Sequence, residues 1–110
     1  MEIITYDTFD QLEIKIGRIL SVEVVPDADK LLKLMVDVGE ETPRQIISGI
    51  RTFFTDPEEL VGRSCPFITN LAPRVIKGHE SQGMILAASA GELFSLLHPS
   101  EELPPGTPVR

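Results

Sequence analysis

Leu12-Glu13-Ile14-Lys15-Ile16-Gly17-Arg18-Ile19-Leu20-Ser21-Val22-Glu23-Val24 is the stretch that decides the fold. Leu12, Ile14, Ile16, Leu20, Val22 and Val24 alternate with Glu13, Lys15, Ser21 and Glu23, and a period of two requires a strand with one buried face. Arg18 alone interrupts the apolar face. Gly17 lies next to it in a strand too long to stay flat, which predicts a bulge or sharp bend at that point. Long bent strands are how small barrels turn their corners.

Outward from this stretch the chain continues in short β-type segments. Pro26-Asp27-Ala28-Asp29 reads as a turn, and Leu31 to Val38 as a second strand with Leu32, Leu34, Val36 and Val38 on one face. Gly39 and Pro43 bracket the next connection, and Gln45 to Ile50 is a third strand. Asp56-Pro57-Glu58-Glu59 combines an N-cap, a proline at the first helical position and a capping-box acid, and Gly62 ends that short helix. Residues 64–71 and 83–89 supply two more strands and 92–97 a further short one. Thr5 to Gln11 reads as a helical turn and Pro99 to Pro108 as an extended, proline-rich tail. This order predicts an all-β OB-fold, a five-stranded Greek-key barrel with a short helix between strands 3 and 4 and extensions at both ends.

A chain of 110 residues, 42% hydrophobic and 25% charged, is expected to form one domain over 1–110, and Met1 points to a complete chain. No apolar run approaches the roughly 20 residues that span a bilayer, and Met1 is followed by Glu2 rather than a basic and then apolar segment. The expectation is a cytoplasmic protein with no membrane partner. Cys65 is the only cysteine, which excludes an internal disulfide and a cysteine cluster for zinc, and it reads as a small buried residue. His79 and His98 have no metal-ligand neighbours, Asp37 reads as a strand-end acid, and no nucleophile, base and orienting group can be assembled. No metal, cofactor or catalysis is expected.

The net charge of −7 argues against a nucleic-acid partner until its distribution is considered. Residues 1–41 carry −6, residues 42–79 carry +2 and residues 80–110 carry −3. The only net-basic segment ends in Asn70-Leu71-Ala72-Pro73-Arg74-Val75-Ile76-Lys77-Gly78-His79, where three basic-type side chains fall within six positions. Arg74 and Lys77 offer two cations, Gly78 and Gly83 allow close backbone approach, Ser81 and Gln82 add hydrogen-bonding groups, and Met84 offers a soft apolar surface. On residue types alone a solvated hairpin loop is the slightly better account.

The order of blocks changes that balance. Ile14-Lys15-Ile16-Gly17-Arg18-Ile19, Asp27-Ala28-Asp29-Lys30-Leu31, Val36-Asp37-Val38-Gly39, Ile47-Ser48-Gly49-Ile50 and Pro57-Glu58-Glu59-Leu60-Val61-Gly62 precede Asn70-Leu71-Ala72-Pro73-Arg74 and Gly78-His79-Glu80-Ser81-Gln82-Gly83-Met84. Together, over nearly the whole chain, they resemble the tRNA-binding domain family. That family includes free-standing tRNA-binding proteins, the carboxy-terminal domain of many methionyl-tRNA synthetases, and the endothelial-monocyte-activating polypeptide group. The resemblance implies an OB barrel that recognises the outer corner of tRNA by shape, without chemistry of its own, and a homodimer in free-standing members. By position it implies RNA contacts at Lys30, Ser48, Asn70, Arg74, Lys77, Ser81 and Met84. Methionyl-tRNA synthetase is the natural partner, assisted in trans or merely docked. Ala72 stands where lysine is common and Asp27 where asparagine is common. A related group of dimeric secretion chaperones shares the fold and length, so a protein-binding chaperone is the alternative, although it departs from this chain around Asp29-Lys30-Leu31 and Ser81-Gln82-Gly83-Met84.

Overall fold

The long alternating segment forms β1, Ile14–Val24, in the computed structural model of the protein, which describes residues 1–110. It is preceded by a single helical turn, α1 (Tyr6–Phe9), capped by the Thr5 hydroxyl, which accepts from the Thr8 amide. β2 (Leu32–Asp37) and β3 (Arg44–Ser48) follow as antiparallel neighbours. Two 3-10 turns, Arg51–Phe53 and Pro57–Leu60, lead to β4 (Ser64–Ile68). The second turn is the expected helix reduced to 3-10 geometry. Asp56 accepts from the Glu58 amide, Pro57 opens the turn, and Gly62, at positive φ, closes it before an α-helix can develop.

After β4 come β5 (Arg74–Ile76), β6 (His79–Ser81), β7 (Met84–Ile85), β8 (Ala87–Ala90), β9 (Leu93–Leu96) and β10 (Pro108–Val109). The main sheet runs β3-β2-β1-β4-β7, with β10 also on β1. The strand expected over 83–89 is therefore two strands: β7 pairs with β4, and β8 leaves the sheet to form a separate hairpin with β9. The proline-rich end is not a free tail, because Thr107 accepts from the Ile16 amide and Gly106 donates to the Ile16 carbonyl at 2.7 Å.

β1 makes the barrel's corner by changing neighbours. Ile14 to Arg18 pair with β4, and Arg18 to Val24 pair with β2, so Arg18 faces Ser64 on one side and Asp37 on the other. The register slips between Ile19 and Ser21. The extra residue is thus Leu20 and not, as the sequence suggests, Gly17. The slip turns Ile19 and Val22 into the core and leaves Leu20 44% exposed, with Leu12 and Val24 also outside. Gly17 has another cause: a Cβ there would lie 2.8 Å from both Phe67 Cδ1 and Val36 Cγ1, so the core reaches the backbone at this point. Leu32, Leu34, Val36 and Val38 are buried as the alternation requires, and with Ile19, Ile46, Leu60, Phe67 and Ile85 they form the core cluster.

Candidate nucleic-acid interface

The segment between β4 and β7 folds into a hairpin, β5–β6, with Arg74 opposite Ser81, Val75 opposite Glu80 and Ile76 opposite His79. Its two-residue turn is Lys77-Gly78, at φ 52° and 82°. A tight turn of this kind needs positive φ at both central residues, which matches the right-handed twist of the strands and explains the glycine. The turn projects Lys77 into solvent.

The hairpin is hung from β3 by side chains. Gln82 donates its amide to the Gln45 carbonyl at 2.8 Å, and its Oε1 accepts from the Gln45 amide at 2.9 Å. Gln45 Nε2 donates to the Glu80 carbonyl at 2.9 Å. The Ser81 hydroxyl accepts from the Ile47 amide at 3.0 Å and donates to the Gly83 carbonyl at 3.1 Å. Side-chain oxygens of Ser81 and Gln82 thereby satisfy the edge amides of β3 that a neighbouring strand would otherwise engage. Gly83 then passes so near β4 that a Cβ would sit 2.9 Å from the Ile68 carbonyl oxygen.

The seven residues singled out by the sequence divide into two groups. Lys30 and Lys77, from segments far apart in the chain, line one open groove of about 380 Å³ together with Asp27, Asp29, Leu31 and Ile76. Arg74 and Met84 line a smaller adjoining cleft of about 60 Å³ over Ile47 and Ile76. Ile76 belongs to both, so the hairpin joins the two cation sites across one face. Met84 is exposed, so its thioether is open to a partner. Ser48 is half-buried at the end of β3, opposite Leu32, with no hydrogen bond from its hydroxyl.

Asn70 lies outside both the groove and the cleft, and Ser81, although it lines the cleft, has its hydroxyl engaged within the chain. Ser81 is only 5% exposed and both hydrogen bonds of its hydroxyl are made within the chain. Asn70 Oδ1 accepts from the Glu13 amide at 2.7 Å and its Nδ2 donates to the Gln11 carbonyl at 2.6 Å, which ties the start of the loop to the start of β1. Thr69 beside it donates its hydroxyl to Glu13 Oε1 at 2.6 Å, and this hydrogen bond holds the Glu13 carboxyl below the usual range. Of the seven positions for which the resemblance implies RNA contacts, Asn70 and Ser81 are the two whose side-chain polar groups bond within the chain, and both hold the loop in place.

The cations divide into paired and unpaired, and Arg63 and Arg110 are unpaired outside the site. Lys15, Arg18, Lys33 and Arg44 are each ion-paired, with Glu13, Glu102, Glu23 and Glu40. Lys30, Arg74 and Lys77 have no acidic partner within 4.0 Å. Nor does Arg51, which the sequence reading passed over; its amide donates to the Lys30 carbonyl at 3.2 Å, which sets it beside the first groove. Its signal was its position directly after Ile47-Ser48-Gly49-Ile50, within the net-basic segment. Cys65 is fully buried, and burial pushes its thiol up to about 11, far from a nucleophile's range.

A family model described as "Putative tRNA binding domain" matches residues 14–108. Methionine–tRNA ligase of Methanoregula boonei is 51% identical over 107 residues, covering 97% of this chain but 16% of that protein. The chain therefore spans about a sixth of the length of the curated relatives it matches. Among solved structures, a MetRS-related protein from Pyrococcus horikoshii superposes with a TM-score of 0.92 at 37% identity, covering 100% of both chains. The chaperone CsaA of Bacillus anthracis superposes with a TM-score of 0.85 at 29% identity, covering 99% of this chain and 100% of that one.

Proposed function

The chain belongs to the tRNA-binding domain family, and from that membership we propose that it is a tRNA-binding module of one domain, residues 1–110, without chemistry of its own. It grips the outer corner of tRNA in the cytoplasm and acts beside a methionyl-tRNA synthetase. The observation that carries the reading is the convergence of Lys30, Arg74 and Lys77, all free of acidic partners, around one hairpin of an acidic protein. Lys30, Arg74 and Lys77 contact phosphates, Met84 and Ser48 border the contact, and Asn70 and Ser81 position it.

The test is an equilibrium titration of total tRNA, with a plain RNA duplex and an unstructured single strand as controls, repeated over a range of salt. Tighter binding of tRNA than of either control, weakening steeply with salt, is the expected result. Weak, salt-insensitive binding with capture of unfolded peptide would instead support the chaperone reading. That second reading is favoured by the likeness to CsaA and by the exposed apolar β8–β9 hairpin, where Leu93 is 75% exposed.

The proposal includes a homodimer. Ile3, Ile4, Tyr6, Phe9 and Leu12 at one end of the chain and Leu93 and Leu97 at the other are exposed, more apolar surface than a lone small barrel ordinarily leaves in water. In the same terminal stretch Leu96 is buried and Phe94 is stacked on Phe53 at 4.0 Å between ring centroids, so the apolar surface there comes from Leu93 and Leu97. Sedimentation at micromolar concentration should give twice 12.1 kDa; a monomer would remove the dimer from the proposal.

A further inference from the structure

Arg44, the first residue of β3, sits at the base of the hairpin and not on its outer face. Its Nη1 donates to two carbonyl oxygens, that of Thr69 and that of Gln82, the latter at 3.0 Å. Its Nε and Nη2 donate to the two oxygens of Glu40 at 2.8 and 2.7 Å. Thr69 is the residue after β4 and Gln82 the residue after β6, so one nitrogen closes both ends of the segment that carries Arg74 and Lys77.

We propose that Arg44, fixed by Glu40, is a positioning residue for tRNA binding: it clamps the two ends of residues 69–82 and so presents Arg74 and Lys77 in binding geometry. The proposal rests on the tRNA-binding reading. Three features of the site support it. The guanidinium is planar and offers its donors in a rigid fork, so a carboxylate on one side orients it toward the two carbonyls on the other. Glu40 holds the Arg44 guanidinium above its usual pKa, and Arg44 holds the Glu40 carboxyl below its own, so the pair stays charged. Finally, the clamp leaves Arg44 largely neutralised and turned inward, which makes it a poor phosphate contact and sets its role apart from that of Arg74.

Arg44→Met keeps an unbranched apolar stem and removes every side-chain donor. Amide hydrogen exchange, which needs no RNA, should speed up selectively over residues 74–81 while β1 and β2 stay protected. tRNA affinity should fall about tenfold with an unchanged slope of log affinity against log salt, because the phosphate contacts persist once formed. In a background already lacking Arg74 and Lys77 side chains, the same change should cost little further affinity. The exchanged pair, Glu40→Arg with Arg44→Glu, should not restore binding, since a carboxylate would then face the carbonyls.

A slope lowered by about 0.7 to 0.9 would make Arg44 a direct phosphate contact and overturn the proposal. So would uniform loss of exchange protection without loss of affinity, or rescue by the exchanged pair. If Arg44→Met does not fold, Arg44→Lys carries the same measurements, because an ammonium keeps the charge but cannot span Glu40 and both carbonyls. Wild-type protein that ignores tRNA would defeat the functional reading, while selective exchange in the hairpin would still report the clamp.

Discussion

Replacing Arg74 and Lys77 together by alanine is expected to cost about 3–6 kcal/mol of tRNA affinity, as two charge-assisted phosphate contacts at ~1.5–3 kcal/mol each. The slope of log affinity against log salt should fall by about 1.4 to 1.8, since each lost contact releases fewer counterions. Neither side chain has an acidic partner or a hydrogen bond within the chain, so the fold should be indifferent to their loss. Lys15→Ala and Lys33→Ala are the comparison, because both lysines are already neutralised by glutamates at 3.6 and 3.2 Å. Ser81→Ala should behave in a third way. It leaves the buried Ile47 amide without a partner, costing about 1–3 kcal/mol of folding stability with no change in salt slope. Titrations at several salt concentrations separate the three outcomes, and an unchanged slope in the double variant would reduce the hairpin to ordinary solvated surface.

Phe67→Ala should be the most damaging single change to the fold, at about 3–5 kcal/mol in urea unfolding. The ring is fully buried, is contributed by β4 opposite Lys15 and Ile85, and fills the space that Gly17 leaves open. Its removal empties the centre of the barrel where two strands meet. Leu20→Ala is the matched test of the bulge: with Leu20 on the outer face the cost should stay near 0.5 kcal/mol. A loss at Leu20 comparable to that at Phe67 would put Leu20 in the core and the register slip elsewhere.

Those two positions also mark how far residues alone lead. β2 was legible because nothing disturbs its alternation from Leu32 to Val38, and the corner in β1 was legible because a strand of that length cannot stay flat. The place of the slip was not, because one inserted residue reverses the inward and outward faces, and Ile19 and Leu20 are equally apolar. Gly17 carried a true signal of constraint with the wrong cause; a missing Cβ looks the same whether the backbone bends or a ring packs on it. In the candidate site, Arg74, Lys77 and Lys30 were readable as cations in loops. Asn70 and Ser81 were not readable as struts, since an amide or hydroxyl that serves its own backbone is the same letter as one that serves a ligand. Arg44 was silent for a further reason: its partners at Glu40, Thr69 and Gln82 come together only in the folded barrel.

The pairing of cations with acids has a consequence for encounters in solution. With Lys15, Arg18, Lys33 and Arg44 paired to glutamates, the cations left unpaired are Lys30, Arg51, Arg74 and Lys77 around the hairpin and Arg63 and Arg110 elsewhere, on a protein of net charge −7. The four around the hairpin, with Asp27 and Asp29 among them, make at most a small positive pole on an acidic surface. Repulsion acts over a Debye length of about 8 Å at physiological salt, so a long straight duplex laid across the hairpin would also lie over acidic flanks. A compact, bent RNA can offer a protruding elbow to that pole and keep the rest of its backbone away. Selection by shape would then begin as refusal, before any base or sugar is touched.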